Sequence, residues 1–189
     1  DAVNDPNLGA LSFGYNDVPF HLINNGHTIQ FEYAEGSSLL FQGTTYELIQ
    51  FHFHAPSEHF LEGQQFPLEL HLVHRDTASG NLAVIGIFFT PGDEHPALPY
   101  FLENLPEEED EIFTSSQLFN ADVLLPSKSS YYTYEGSLTT PPCSEIVKWI
   151  VMETPVEIST VQLNVLTHEL PENNRPVQDL SDRQIRKFE

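Results

Sequence analysis

The sequence predicts an α+β fold that is mainly β. Three observations carry this expectation. Two runs, residues 50–54 (QFHFH) and 69–74 (ELHLVH), alternate with the strand period of two. A continuous apolar run, residues 82–89 (LAVIGIFF), has the length and β-branched content of a central strand rather than a helix. Helix signals are confined to two short places, residues 97–105 and the stretch after Ser159.

Taken in order, residues 1–20 are rich in Asp, Asn, Gly and Pro and read as loop with short extended pieces. Residues 20–23 lead into Asn24-Asn25-Gly26, a strong turn signal. His27 opens an alternating run, 28–33, which reads as a strand, and 34–38 as a turn. Residues 39–42 and 45–54 are predicted strands. Pro56, Gly63 and Pro67 then let the chain turn back before the strand at 69–74. A polar loop, 75–81, precedes the apolar strand, and 91–99 is loop again. Residues 107–111 (EEEDE) are five adjacent like charges, which favours a solvated surface loop. Residues 118–125 lead into Pro126-Ser127-Lys128. A strand at 131–134 feeds the loop Ser137-Leu138-Thr139-Thr140-Pro141-Pro142, and 146–152 is a further strand. Ser159 and Gln162 have capping-box spacing, so a helix is expected through Glu169. From Pro171 the tail reads as mostly irregular. With 189 residues and no internal repeat or linker, the chain is expected to form one domain over 1–189.

Charge narrows the classes of function. Seven basic residues face 28 acidic ones, a net charge of −21. Nucleic-acid binding needs clustered Lys and Arg, and anionic membrane surfaces need the same. No apolar run approaches the roughly 20 residues of a membrane helix. The acidity favours solubility in a medium whose salt screens self-repulsion. The single cysteine, Cys143, has no internal disulfide partner.

Chemistry concentrates in residues 47–74, which hold most of the histidines. Strand alternation puts Gln50, His52 and His54 on one face and Phe51 and Phe53 on the other. Glu69, His71 and Val73 likewise share a face. Two neighbouring strands then bring His52, His54 and His71 to one point. Three imidazoles suit zinc, which accepts nitrogen at about 2.0–2.1 Å, and three protein ligands leave the open position of a catalytic site. Gln50 and Glu69 are placed to accept the second N–H of a ligating ring and fix its tautomer. A lone histidine is more often simply packed or exposed; this spacing argues otherwise.

The motif FHFHAPSEH followed by ELHLVH resembles the α-class carbonic anhydrases. So do residues 134–145 (YEGSLTTPPCSE), similar to that family's threonine loop, and 24–30 (NNGHTIQ), similar to its proton-shuttle segment. Residues 173–178 (NNRPVQ) with 183–185 (RQI) resemble its C-terminal stretch. The four segments follow the family's order and span nearly the whole chain. The resemblance implies a large twisted, mostly antiparallel central sheet with short peripheral helices, and a metal at the bottom of a cone-shaped cavity. It implies reversible hydration of carbon dioxide to bicarbonate and a proton by a zinc-bound hydroxide, with esterase activity on the side. His27 would ferry the proton. Thr139 would accept a hydrogen bond from the hydroxide and donate to an ionised Glu58. Asn173 would join Gln50 and Glu69 in supporting the ligands. Val73, Val84, Leu138, Thr140, Val147 and Trp149 would form the substrate pocket, and Asn25 and Gln30 would hold cavity waters.

By the same resemblance His59 and His74 are structural, while His21, His95 and His168 are expected at the surface. Sulfonamides and anions would inhibit, and the chain would act as monomer or homodimer. Resemblance and acidity together point to the periplasm or extracellular space. The chain is expected to lack the family's N-terminal stretch, with which a disulfide partner for Cys143 would go. A binding module on the same fold would usually have lost a ligand histidine, and all three stand here. An unrelated zinc hydrolase would show a motif such as H-E-x-x-H, which does not occur.

Overall fold

The structure is a computed structural model that describes residues 2–170 and 172–189; Asp1 and Pro171, which the sequence reading placed in loop and tail, lie outside the described residues. The strands are β1 (Val3–Asn4), β2 (Ser12–Gly14), β3 (Val18–Asn24), β4 (Ile29–Glu32), β5 (Ser38–Phe41), β6 (Thr44–His54), β7 (Phe60–Leu61), β8 (Gln64–Gln65), β9 (Leu68–Arg75), β10 (Leu82–Pro91), β11 (Ile112–Phe119), β12 (Tyr131–Gly136), β13 (Val147–Met152), β14 (Val156–Ile158) and β15 (Arg186–Phe188). Helix α1 (Pro99–Leu102) precedes β11, a 3-10 turn (Ala121–Leu124) follows it, and α2 (Thr160–Glu169) follows β14.

A 13-stranded sheet runs β1-β15-β12-β13-β10-β9-β6-β4-β3-β11, with β14 beside β10 and with β5, which carries β2, beside β6. Most neighbours are antiparallel, as expected. The sheet is nonetheless mixed: at its centre β10 pairs in parallel with both β13 and β14, and at one edge β1 pairs in parallel with β15. Parallel neighbours need a long crossover. Here α1, β11 and β12 all lie between β10 and β13.

The two faces of the central strands have separate roles. On one, Phe51 pairs with Leu72 and Phe53 with Leu70, and these rows continue through Ile85 and Ile87 on β10. All six side chains are buried in the main core. The opposite face carries His52 opposite His71 opposite Gly86, then Val151. Beside that row run Gln50, Val73, Val84, Trp149 and Tyr134.

A bulge at Ile49 keeps the faces apart. Leu48 pairs with His74 and Gln50 with Val73, so one residue of β6 has no partner. Leu48 therefore joins the core while Gln50, two residues on, faces the functional side.

Several expectations are corrected. The helix expected over 97–105 is only the single turn α1. It has no side-chain cap at Leu98, and Pro106 lies four residues past its end. His95, expected at the surface, is buried at 8% exposure, because its backbone N–H and C=O are clasped by Gln162 of α2. Strands β3 and β11 are longer and better paired than the loop-rich composition suggested, and the tail returns as β15 along β12. Among the described residues no helix is long and apolar enough to cross a membrane.

Candidate metal centre and active site

His52 and His54 project from the same face of β6, and His71 faces them from β9. Each ring has one nitrogen engaged by a protein oxygen. His52 Nδ1 is 2.8 Å from Gln50 Oε1, His54 Nδ1 is 3.1 Å from the Asn173 carbonyl, and His71 Nε2 is 3.0 Å from Glu69 Oε1. Those oxygens accept, so the ring nitrogens donate. The lone pairs are thereby left on His52 Nε2, His54 Nε2 and His71 Nδ1. The three rings bring ligand atoms within 4.8 Å of one another. His52 Nε2 and His54 Nε2 are 3.1 Å apart. Two lone pairs so close repel unless a cation lies between them. Burial pushes all three imidazoles towards the neutral, metal-binding form, and for His52 the neighbouring rings add to it. The donor set fits zinc.

Support for the ligands comes from far along the chain. Asn173 accepts from His54 through its carbonyl and from Ala55 N through Oδ1, while its Nδ2 donates to the carbonyls of His27 and Phe53. Glu69 is fully buried and accepts four hydrogen bonds: Glu58 N and His59 N at Oε2, and His59 Nδ1 and His71 Nε2 at Oε1. Burial alone would raise its carboxyl, but His59 and His71, whose ring N–H groups both donate to it, prevail and hold it well below the usual range. His59, although buried, is raised by Glu69, and its Nε2 lies 2.7 Å from the Tyr134 hydroxyl.

Glu58 Oε1 accepts from Arg175 N at 2.7 Å. Its Oε2 lies 3.9 Å from His71 Nδ1 and has no hydrogen-bond partner of good geometry. Burial raises this carboxyl, while His71, Arg175 N and the Thr139 side chain counter it. Thr139 thus stands beside Glu58, but the expected hydroxyl-to-carboxylate bond is not fully closed.

A cavity of about 880 Å³ opens above His52 and His54, with His71 buried behind them, and is lined by Asn25, His27, Gln30, Gln50, His52, His54, Thr139, Thr140 and Asn173 among others. His27 is exposed on its wall, on a turn where Asn25 Oδ1 accepts from His27 N and Thr28 N. Val73, Val84, Val147 and Trp149 form one buried apolar cluster with Leu138 packed against it; this group lies beside the cavity rather than on its lining. The Trp149 ring is 4.7 Å from that of His71. His21 is half-exposed, as expected, and His168 exposed.

Sequence reading missed Arg175 and Tyr134. Arg175 sits in the segment already singled out at 173–178, but its contact is through the backbone, which no side-chain pattern announces; its guanidinium reaches Ser137 Oγ and the Leu138 carbonyl.

A strand-borne trio of imidazoles, lone pairs converging beside an open cavity, fits a mononuclear metal centre of the three-histidine class. The model of the eukaryotic-type carbonic anhydrase family matches residues 1–189. A carbonic anhydrase of Nostoc sp. is 42% identical over 184 residues, covering 97% of this chain and 69% of the relative. The α-carbonic anhydrase of Thermovibrio ammonificans, solved with the inhibitor sulfanilamide, superposes with a TM-score of 0.94 at 42% identity, over 98% of this chain and 82% of that one. A hyperthermostable carbonic anhydrase from a hydrothermal vent chimney gives 0.93 at 44% identity, over 100% and 84%. The chain belongs to the eukaryotic-type, or alpha, carbonic anhydrase family, and with it to the carbonate dehydratases.

Proposed function

We propose that this chain hydrates carbon dioxide reversibly to bicarbonate and a proton, with zinc held by His52 Nε2, His54 Nε2 and His71 Nδ1 and with His27 passing the proton to solvent. The observation that carries the reading is the orientation of the three rings. Every outward nitrogen has an acceptor, so every lone pair points to one place. Zinc bound there supplies a Lewis acid that activates water, a chemistry for which carbonic anhydrases are the standard example.

The chain's own groups do the rest. Gln50, Glu69 and the Asn173 carbonyl hold the ligand rings in one tautomer. An ionised Glu58 is acceptor-only, so a Thr139 hydroxyl that donates to it turns its own lone pair towards the reacting water. Thr140, on the cavity lining, offers a polar contact for the anion formed, and the buried apolar cluster of Val73, Val84, Leu138, Val147 and Trp149 lies beside the cavity, where a small shift of the lining would open it to carbon dioxide. Asn25, Gln30 and Gln50 line the path from the ligands to His27. Imidazole is the side chain suited to proton relay near neutral pH. A sulfonamide of the kind bound by the Thermovibrio ammonificans relative is expected to enter the same cavity. The acidity supports a periplasmic or extracellular setting.

Metal analysis combined with stopped-flow hydration tests the reading. One zinc per chain and saturable turnover are expected. His71→Ala should lose both, since it removes one of the three ligands and leaves the buried Glu69 carboxylate short of a donor. His27→Ala should keep zinc and slow turnover, with imidazole buffer restoring part of the rate. Zinc without turnover would favour a binding module on this fold, and no rescue by buffer would remove the role given to His27.

A further inference from the structure

We infer that Gly86 is a positioning residue for the metal centre: its missing side chain leaves the space in which the Glu69 carboxylate braces His71. Gly86 lies in the middle of β10, opposite His71 on β9 and Val151 on β13. Glycine inside a strand weakens it, through backbone entropy and lost packing. Nothing in the backbone asks for glycine here, because Gly86 is not among the residues with positive φ. The requirement is steric. A Cβ on Gly86 would lie 2.6 Å from Glu69 Oε1 and 3.8 Å from His59 Nδ1. Carbon atoms in contact sit at about 3.5–4.0 Å, so the shorter of these distances forces a shift.

Glu69 has no free direction in which to yield. It is fully buried, and its other oxygen is tied to Glu58 N and His59 N, both at 2.9 Å. The oxygen that must move is the one shared by His59 Nδ1 at 2.7 Å and His71 Nε2 at 3.0 Å. Displacing it releases the N–H that fixes the His71 tautomer, and with it the direction of the His71 Nδ1 lone pair. The consequence for metal rests on the zinc reading above; the packing does not.

The test therefore has a metal-free arm. Thermal unfolding is measured without metal for the wild type, Gly86→Ala, Glu69→Ala and the double variant. The added methyl should lower Tm in the native background and leave it nearly unchanged in Glu69→Ala, where the space is vacated. Equal losses in both backgrounds overturn the proposal. If Gly86→Ala does not fold, recovery of folding in the double variant supports it, and failure of both overturns it. In the zinc arm, competition with a chelator should show Gly86→Ala holding zinc about 10–100-fold more weakly, the range for loss of a ligand's support. The double variant should hold it no more weakly than Glu69→Ala. Additive effects would show that Gly86 acts by another route. A wild type that binds no zinc would defeat the functional reading while leaving the metal-free comparison intact.

Discussion

At the residue scale, His74 shows how firmly this fold holds a proton balance away from the three clustered histidines. It is fully buried, with Nδ1 donating to the Ala83 carbonyl at 3.2 Å and Nε2 2.7 Å from the Tyr15 hydroxyl. Burial pushes it down from 6.5 to about 4. Below pH 6.5 the unfolded chain therefore binds a proton that the native chain refuses. Stability should fall as pH drops from about 6.5 to about 4 and then level off, by about 3 kcal/mol from this group at roughly 1.4 kcal/mol per pH unit. Urea unfolding of wild type and His74→Gln across that range checks it; the same slope in both would exclude His74 as the source. His74 also marks the limit of single-residue reading. The alternation in 69–74 puts it on the face of Leu70 and Leu72, whereas its partner Tyr15 comes from 59 residues away.

At the scale of the element, α2 was legible because its signal is local. Ser159 Oγ accepts from Gln162 N, and Gln162 Oε1 accepts from Ser159 N, both at 3.2 Å. Gln162 also clasps His95 N at 2.8 Å and His95 O at 2.9 Å, which no capping pattern could disclose. Ser159→Ala should cost about 1 kcal/mol, an ordinary cap loss. Gln162→Ala should cost more, about 1–3 kcal/mol beyond the cap, because two buried backbone groups of His95 lose their partner. Denaturant unfolding of both variants ranks them, and equal losses would deny Gln162 its second role. The Ile49 bulge is the contrary case. Tyr46 and Leu48 continue one alternation, Phe51 and Phe53 another, and only pairing with β9 shows where they join.

At the scale of the molecule, the net charge of −21 is scarcely offset. The Lys and Arg ion pairs among the described residues join Lys148 to Glu135, Arg186 to Asp5, and Lys187 to Glu153 and Glu189. Surface pairs of this kind contribute little, so repulsion among the remaining carboxylates acts against the compact state. The Debye length falls from about 30 Å at 0.01 M salt to about 3 Å at 1 M. Tm should therefore rise by several degrees between low-salt buffer and 0.5 M sodium chloride. A flat or falling curve would mean that the carboxylates are spread too widely to repel. The mixed centre of the sheet belongs to this scale too, because the parallel pairing of β10 with β13 joins strands separated by more than 50 residues.

By itself the sequence determined what lies within reach of a few bonds. Strand alternation, the capping box and the pairing of histidines two apart are properties of local geometry, and they survived folding. Tertiary structure alone decided the partners that arrive from elsewhere. The Asn173 carbonyl meets His54 across 119 residues, the Arg175 amide meets Glu58 across 117, and Gly86 makes room for Glu69 only because β10 happens to lie against β9. A local pattern constrains which face a side chain takes; which groups meet on that face depends on long-range pairing, whose register is set by the burial of the whole core.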